Sequence, residues 1–175
     1  MPIKNRRILC IPDTHFPYQH PRFFIDLAKH IRYFKPTDIV HMGDIVDFHA
    51  ISGHDPDPDA DDISVELGKA KLELRKFIDI VGQNILVCIG NHDNRIDKRA
   101  SNNGIPKVFL KDFNAVLGLP DGFKLAFDHF IGDWAFTHGK SNLRGKTALS
   151  YGCNVVQGHY HSMLDISYHQ TPTRL

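Results

Sequence analysis

The fold of this chain is constrained most by a repeated alternation of short apolar runs with stretches of helical periodicity. The apolar runs cover residues 6–11, 38–42 and 85–89, and each has the length of a buried strand. Two segments between them, one beginning at Pro21 and one after Asp62, carry apolar residues at helical spacing. Because parallel strands need a helical crossover, the alternation predicts a β-α-β-α-β unit with a parallel sheet.

The second half of the chain has a different pattern. Residues 95–117 are less regular and indicate partly helical structure. Residues 123–127 alternate, and Gly132-Asp133 then leads into the apolar run 134–137, which predicts a hairpin. Two more strand-like runs surround Val155-Val156 and cover residues 163–166. With 175 residues and no repeat or long linker, we expect one domain over residues 1–175.

Five short polar motifs lie at the ends of apolar runs, and together they are far more specific than any one alone. They are Asp13-Thr14-His15, Gly43-Asp44-Ile45-Val46-Asp47, Gly90-Asn91-His92-Asp93, Thr137-His138-Gly139 and Gly158-His159-Tyr160-His161. Ligand sites of open α/β sheets gather where strands end. Imidazole nitrogens, hard oxygens and a carboxylate that can bridge are what two divalent cations require. Such a pair of ions lowers the pKa of a bridging water and clamps a phosphate, so the motifs point to phosphate-ester hydrolysis.

The five motifs, in this order, resemble the calcineurin-like metallophosphoesterase superfamily from Asp13 to His161. The resemblance implies an α/β fold with two stacked mixed β-sheets flanked by helices, an αββα sandwich. It also implies a metal-ligand set. In that set, Asp13, His15 and His161 hold the first ion, Asn91, His138 and His159 hold the second, and Asp44 bridges the two.

The resemblance also implies a role for His92, which in the family contacts the substrate phosphate or the leaving oxygen. We assign His92 as general acid or cationic stabiliser of the transition state, and we expect Asp47 to orient its ring. The remaining histidines, including His41 and His49 beside the motifs, are expected to be structural or exposed. The mixed nitrogen and oxygen set favours two transition-metal ions, with Mn²⁺ first and Fe, Zn²⁺ or Ni²⁺ as alternatives, over Ca²⁺ or Mg²⁺.

The chain departs from the phosphoprotein phosphatase branch at one position. There, an Arg follows the second Asp of the second motif and grips the phosphate, whereas this chain has Phe48. The departure favours a phosphodiesterase or nuclease over a small-substrate phosphatase, which stays the alternative. The basic residues that follow the third and fourth motifs are either replacement cations for the phosphate or part of a solvated charged face: Arg95, Lys98, Arg99, Lys140, Arg144 and Lys146.

Bulk composition narrows the functional classes and cellular locations to be considered. The formal net charge of +1 argues against a purely electrostatic nucleic-acid binder. The polar, basic N-terminus lacks a long apolar stretch, so we expect no signal peptide and no membrane span. Cys10 and Cys88 lie in apolar runs without a Cys-x-x-Cys pair, which predicts small buried hydrophobes. A reducing cytoplasm is the expected compartment.

The expected partner is a phosphate ester, with nucleotides and nucleic acids among the candidates. A non-catalytic metal-binding interaction module of the same fold is the rival hypothesis. Such relatives typically lose ligands or the catalytic His, and this chain keeps all seven ligands and His92. Two alternatives stay open for the C-terminus: a compact domain, or a chain that continues with further strands. In the second case the last strand is an edge through which a homo-oligomer forms.

Overall fold

The computed structural model describes residues 5–53, 58–139, 145–162 and 164–168. Its strands are β1 (Ile8–Ile11), β2 (Asp38–His41), β3 (Ile85–Cys88), β4 (Phe123–Ala126), β5 (Asp128–Ile131), β6 (Trp134–Thr137) and β7 (Asn154–Gln157). Its α-helices are α1 (Phe23–Phe34), α2 (Ile63–Val81), α3 (Arg95–Asn102), α4 (Phe113–Leu117) and α5 (Lys146–Tyr151). Two 3₁₀ turns cover His49–Ile51 and Lys107–Phe109.

The strands form two sheets. The first has the order β1-β2-β3-β4, and every described pair in it is parallel. In the second, β5-β6-β7, the first pair is antiparallel and the second parallel. The predicted α/β fold of stacked sheets flanked by helices is confirmed, and mixed pairing is confined to the second sheet.

The first sheet is buried on both faces, and its alternating side chains enter two different cores. Ile11, Ile85 and Val87 face a core shared with α1 and α2. Their neighbours Cys10, Val40 and Cys88 face a smaller core shared with Ile131 and Phe136 of the second sheet. Because successive side chains of a strand point to opposite faces, the continuous apolar runs of the sequence are what this double burial requires.

Helix α2 follows the sequence expectation closely. Asp62 caps it, because its side chain accepts hydrogen bonds from the backbone N–H groups of Ser64 and Val65. Ala70, Leu74 and Phe77 lie at helical spacing, and all three are buried against the first sheet. The predicted crossover helix is therefore confirmed.

The hairpin predicted for residues 123–127 and 134–137 is wrong in one of its strands. Phe123–Ala126 is β4, which pairs in parallel with β3 and ends the first sheet. The true partner of β6 is β5, whose residues pair antiparallel across the Gly132-Asp133 turn. The chain changes sheet at Phe127, and the alternating pattern of residues 123–127 suits either sheet equally well.

The two strand-like runs predicted near the C-terminus have different outcomes. Val155 and Val156 lie in β7, as expected. Leu164–Ile166 forms no strand, and Met163 and residues 169–175 lie outside the described residues. Leu164 and Ile166 are exposed, so the burial that would fix a strand is missing there. Among the described strands β7 is an edge of its sheet, and self-association through such an edge stays a prediction.

The buried cysteines are confirmed. Cys88 is buried and Cys10 half-buried, and both are free. Burial raises the pKa of Cys10 to about 11 and that of Cys88 to about 12, so both remain thiols at neutral pH. No described helix is both long and apolar enough to cross a lipid bilayer.

A carboxylate of α2 secures the loop after the second motif. Glu66 is 1% exposed, and its two oxygens accept hydrogen bonds from the backbone N–H groups of His49 and Ala50 at 2.8 and 2.9 Å. We expect Glu66→Ala to lower the free energy of unfolding by about 2–4 kcal/mol, because both N–H groups lose their acceptor.

Denaturant unfolding measures this loss. Asp79→Ala is the matched control, since Asp79 is an exposed carboxylate on the same helix. Its effect should stay within about 0.5 kcal/mol. Equal stability of the two variants would contradict a loop-securing role for Glu66.

Candidate metal centre

The candidate ligands are brought together at strand ends of both sheets. The loops after β1, β2 and β3 carry Asp13 with His15, Asp44, and Asn91, in that order. The loops after β6 and β7 carry His138, and His159 with His161. The site thus lies where the carboxyl ends of parallel strands meet, as expected for a ligand site of such sheets.

Three of the candidate ligands have backbone conformations that are unusual for their residue type. The φ angles of His15, Asp44 and His159 are 47°, 49° and 75°. Left-handed conformations of non-glycine residues are uncommon and cluster at functional sites. The Asp44 carbonyl accepts hydrogen bonds from the backbone N–H groups of Thr14 and His15, at 3.1 and 3.0 Å. These bonds tie the first two ligand loops together.

Two glycines allow the loops to approach closely. A Cβ at Gly90 would overlap the backbone nitrogen and carboxylate of Asp44. A Cβ at Gly43, whose φ is +102°, would lie 2.7 Å from His138 Nδ1. Both motifs therefore need glycine beside the ligand for a steric reason, and Gly43 also for its backbone conformation.

The first group of possible ligands consists of Asp13, His15 and His161. His15 Nδ1 donates a hydrogen bond to Asp47 Oδ1 at 2.8 Å, so its Nε2 keeps a lone pair. That nitrogen lies 3.2 Å from His161 Nε2, which is 3.0 Å from Asp13 Oδ2. The two imidazole nitrogens and the Asp13 oxygen therefore converge closely enough to be ligands of one cation.

The second group consists of Asp44, His138 and His159, with Asn91 beside it. His138 Nδ1 donates to the Met42 carbonyl at 3.1 Å, which leaves Nε2 as an acceptor. Nε2 lies 2.9 Å from Asn91 Oδ1, 3.1 Å from Asp44 Oδ2 and 3.2 Å from His159 Nδ1. With Nε2 unprotonated, His138 faces the Asn91 and Asp44 oxygens without a hydrogen between them, and a proton on Nε2 or a bound cation would relieve this contact.

Asp44 is the residue that the two groups approach together. Its Oδ2 lies 3.1 Å from His138 Nε2 and 3.9 Å from His15 Nε2, and a third possible ligand group joins it with His15 and His92. Burial opposes ionisation of Asp44, but the hydrogen bond and charge of His138 outweigh it, so its pKa is lowered. The donor set fits two divalent cations that share one carboxylate.

Asp47 lies beside His92, where the sequence led us to expect it, and it also reaches His15. Its Oδ1 accepts a hydrogen bond from His15 Nδ1 at 2.8 Å and lies 2.9 Å from His92 Nδ1, which also donates to the Asp47 backbone carbonyl at 2.8 Å. The other nitrogen of His92 lies 3.9 Å from Asp44 Oδ2, at the edge of the cluster. Burial opposes protonation of His92, but Asp47 and Asp44 outweigh it, and the pKa of His92 is raised. One carboxylate thus orients two imidazoles.

Arg95, one of the candidate replacement cations, lies beside the loop that carries Phe48. The Phe48 side chain is 1% exposed and belongs to the main core. Arg95 reaches the same loop from α3, and its Nη1 donates to the carbonyls of Asp47 and Phe48 at 2.8 and 2.9 Å. Its Nη2 donates to His92 Nε2 at 3.1 Å. A guanidinium therefore lies next to the candidate catalytic imidazole.

Of the other proposed cations, those that the structure describes are not placed at the cluster. Arg99 donates to the carbonyls of Ile51 and Ser52, and Lys98 is exposed. Lys146 is exposed at the first residue of α5. Lys140 and Arg144 lie outside the described residues.

Asp93 has a role that sequence reasoning missed. It is 4% exposed, and its Oδ1 accepts from the backbone N–H groups of Ile45 and Val46 at 3.0 and 3.3 Å. Its Oδ2 accepts from the N–H of Gly90 at 2.9 Å. Asp93 therefore joins the second and third motifs through backbone groups. The sequence feature that could have indicated this role is the position of Asp93 in the third motif, directly after His92.

An open groove adjoins the cluster along β7. Asp13, His159, His161 and Trp134 are among the residues that line it. Among the described residues that line it, none is Lys or Arg. The described groove therefore offers no row of cations to a polyanion.

Comparison with known protein families agrees with the fold. The calcineurin-like phosphoesterase family matches residues 6–170. No curated protein and no solved structure matched the chain. The family match spans nearly the whole length and includes all five motifs, and the chain belongs to the calcineurin-like phosphoesterase family.

Proposed function

We propose that the protein is a dinuclear metal-dependent phosphoesterase that uses water to hydrolyse a phosphate ester. The observation that carries the proposal is that Asp44, a member of the second group of possible ligands, also joins His15 of the first group in the third group. Asp13, His15 and His161 form the first site, and Asn91, His138 and His159 form the second, with Asp44 common to both. Mn²⁺ is the first choice of ion, because imidazole and oxygen donors suit it together.

The protein's own residues divide the remaining work. Divalent ions bound here would lower the pKa of water and neutralise charge on the phosphoryl oxygens. Asp47 accepts the Nδ1–H of His92, so Nε2 is the ring atom that faces the cluster. With substrate in place of the Arg95 contact, Nε2 of the protonated ring would carry an N–H, and we assign to that N–H the transfer of a proton to the leaving oxygen, or a hydrogen bond to the phosphoryl group.

The placement of Arg95 supports phosphomonoesters of small molecules as the substrate class, rather than the nucleic acids favoured from the sequence. A monoester dianion carries one more negative charge than a diester, and Arg95 provides a cation 3.1 Å from His92 Nε2. The described part of the groove lacks the cations that a polynucleotide would use. The nuclease alternative depends on Lys146 together with Lys140 and Arg144.

A substrate panel tests the proposal. Metal-free protein should hydrolyse nothing, and added Mn²⁺ should restore activity on an aryl phosphomonoester, whereas Ca²⁺ should not. The panel also includes an aryl diester, cyclic nucleotides, single- and double-stranded DNA, and RNA. Cleavage of an oligonucleotide in preference to the aryl esters would favour the nuclease. Tight Mn²⁺ binding without turnover on any ester would favour the non-catalytic module.

Arg95 has a separate test. We expect Arg95→Met to lower kcat/KM for an aryl phosphomonoester by roughly 10²-fold, the scale of one lost transition-state donor. The loss on an aryl diester should be much smaller, because a diester offers one anionic charge fewer. Steady-state kinetics on both esters measure the difference.

Arg99→Met is the matched control for Arg95. Arg99 also lies on α3 and also donates to two carbonyls of the loop after the second motif, but it does not contact His92. Its replacement should leave both activities near wild type. Equal losses on the two esters in Arg95→Met would show that Arg95 acts through the loop or His92, without selecting the monoester.

A further inference from the structure

His41, at the end of β2, is a buried histidine outside the proposed mechanism. Its side chain is 0% exposed, and its ring meets Phe77 edge-on at 5.8 Å between centroids. An imidazole buried this deeply needs a partner for each nitrogen. Both partners lie in the loops that carry candidate metal ligands.

The hydrogen-bond directions around His41 are fixed. The backbone N–H of Gly43 donates to His41 Nδ1 at 3.2 Å, so the ring proton is on Nε2. Nε2 donates to Thr14 Oγ1 at 3.0 Å, and that hydroxyl donates to the Ile45 carbonyl at 3.0 Å. Burial lowers the pKa of His41 to about 3, which agrees with a neutral ring. We call this chain of bonds from Gly43 through His41 and Thr14 to Ile45 the His41 relay.

The His41 relay links backbone segments that carry three candidate ligands. Thr14 lies between Asp13 and His15, and Gly43 and Ile45 flank Asp44 on both sides. His15 and Asp44 have left-handed backbones, which persist only where surrounding contacts hold them. The relay provides side-chain contacts of this kind at both loops.

We propose that His41 is a positioning residue that, through Thr14 and Gly43, holds the loops of Asp13, His15 and Asp44 in the geometry that binds metal. The inference rests on the proposed metal centre and deepens it. The edge-on contact with Phe77 is what phenylalanine would keep at this position. The hydrogen bonds are what phenylalanine would lose.

Mn²⁺ binding to the metal-free protein tests the inference, by calorimetry and by electron paramagnetic resonance. His41→Phe and Thr14→Val should each weaken Mn²⁺ binding by about 10–100-fold, as loss of outer contacts to metal ligands typically does. The double variant should bind no more weakly than the single variants, because both remove the same relay. Thr14→Ser keeps the hydroxyl and should restore nearly wild-type affinity.

Leu74→Ala is the control for general destabilisation, since Leu74 is buried in the core that contains Phe77 but lies outside the relay. It should lose stability and keep Mn²⁺ affinity. Wild-type Mn²⁺ affinity in both His41→Phe and Thr14→Val would overturn the inference, as would losses that add up in the double variant. If His41→Phe does not fold, Thr14→Val and Thr14→Ser decide. Wild-type protein that binds no Mn²⁺ would instead overturn the proposed function itself.

Discussion

Asp44→Ala is expected to abolish hydrolysis together with the binding of both metal ions. The Asp44 carboxylate lies within reach of both ligand groups, with Oδ2 3.1 Å from His138 Nε2 and 3.9 Å from His15 Nε2. Its loss removes a negative charge from the centre of a cluster rich in imidazole. Elemental analysis of the reconstituted protein and calorimetric titration with Mn²⁺ measure the effect.

Asp44→Asn separates the charge of this residue from its structural contacts. Asp44 Oδ1 accepts a hydrogen bond from the backbone N–H of His92 at 2.7 Å, so alanine also removes an acceptor from a buried loop. Asparagine keeps the shape and one oxygen, and it should fold while still losing most metal affinity. Two ions bound with wild-type affinity in Asp44→Asn would contradict the bridging role.

His92→Ala is expected to reduce turnover by about 10²–10⁴-fold while both ions stay bound, the scale for loss of a general acid. Asp47 holds His92 through Nδ1, and Nε2 lies at the edge of the cluster, 3.9 Å from Asp44 Oδ2. The ring is thus placed to act on substrate. Measurement of kcat on the best ester from the panel, beside metal content, checks this expectation.

The control for His92 is His49→Ala. His49 lies in the loop after the second motif, next to Phe48, but it belongs to none of the three possible ligand groups. Its replacement should change neither turnover nor metal content to a comparable degree. Loss of one ion in His92→Ala would assign His92 as a ligand, an arrangement that the group of His15, Asp44 and His92 allows.

Local sequence features predicted much of the fold, because they act over a few neighbouring residues. Three apolar runs produced β1, β2 and β3, whose side chains enter cores on both faces. The cap at Asp62 and the stripe through Leu74 produced α2. The alternation in Phe123–Ala126 predicted a strand correctly, but not its partner, since an alternating pattern fits either sheet.

The candidate ligands were also available from the sequence, because each motif lies at a strand end and strand ends of parallel neighbours meet. The structure brings Asp13, His15, Asp44, Asn91, His138, His159 and His161 together, as the resemblance implied. Their roles stay proposals until metal binding is measured. Asp47 was placed beside His92 in advance, but its second contact, to His15, was not foreseen.

Contacts between distant segments were decided by the tertiary structure alone. Arg95 was one of six candidate cations in the sequence, and its guanidinium reaches the carbonyls of Asp47 and Phe48 because α3 packs against the loop after the second motif. The same packing buries Phe48. His41 was expected to be structural or exposed. Its two ring nitrogens instead form hydrogen bonds with the loop after β1 and with the loop after β2. Periodicity and motif spacing report on neighbours along the chain, whereas these bonds depend on how sheets and helices pack in space. The sequence therefore determined which chemical groups the site contains, and the packing decided which of them support one another.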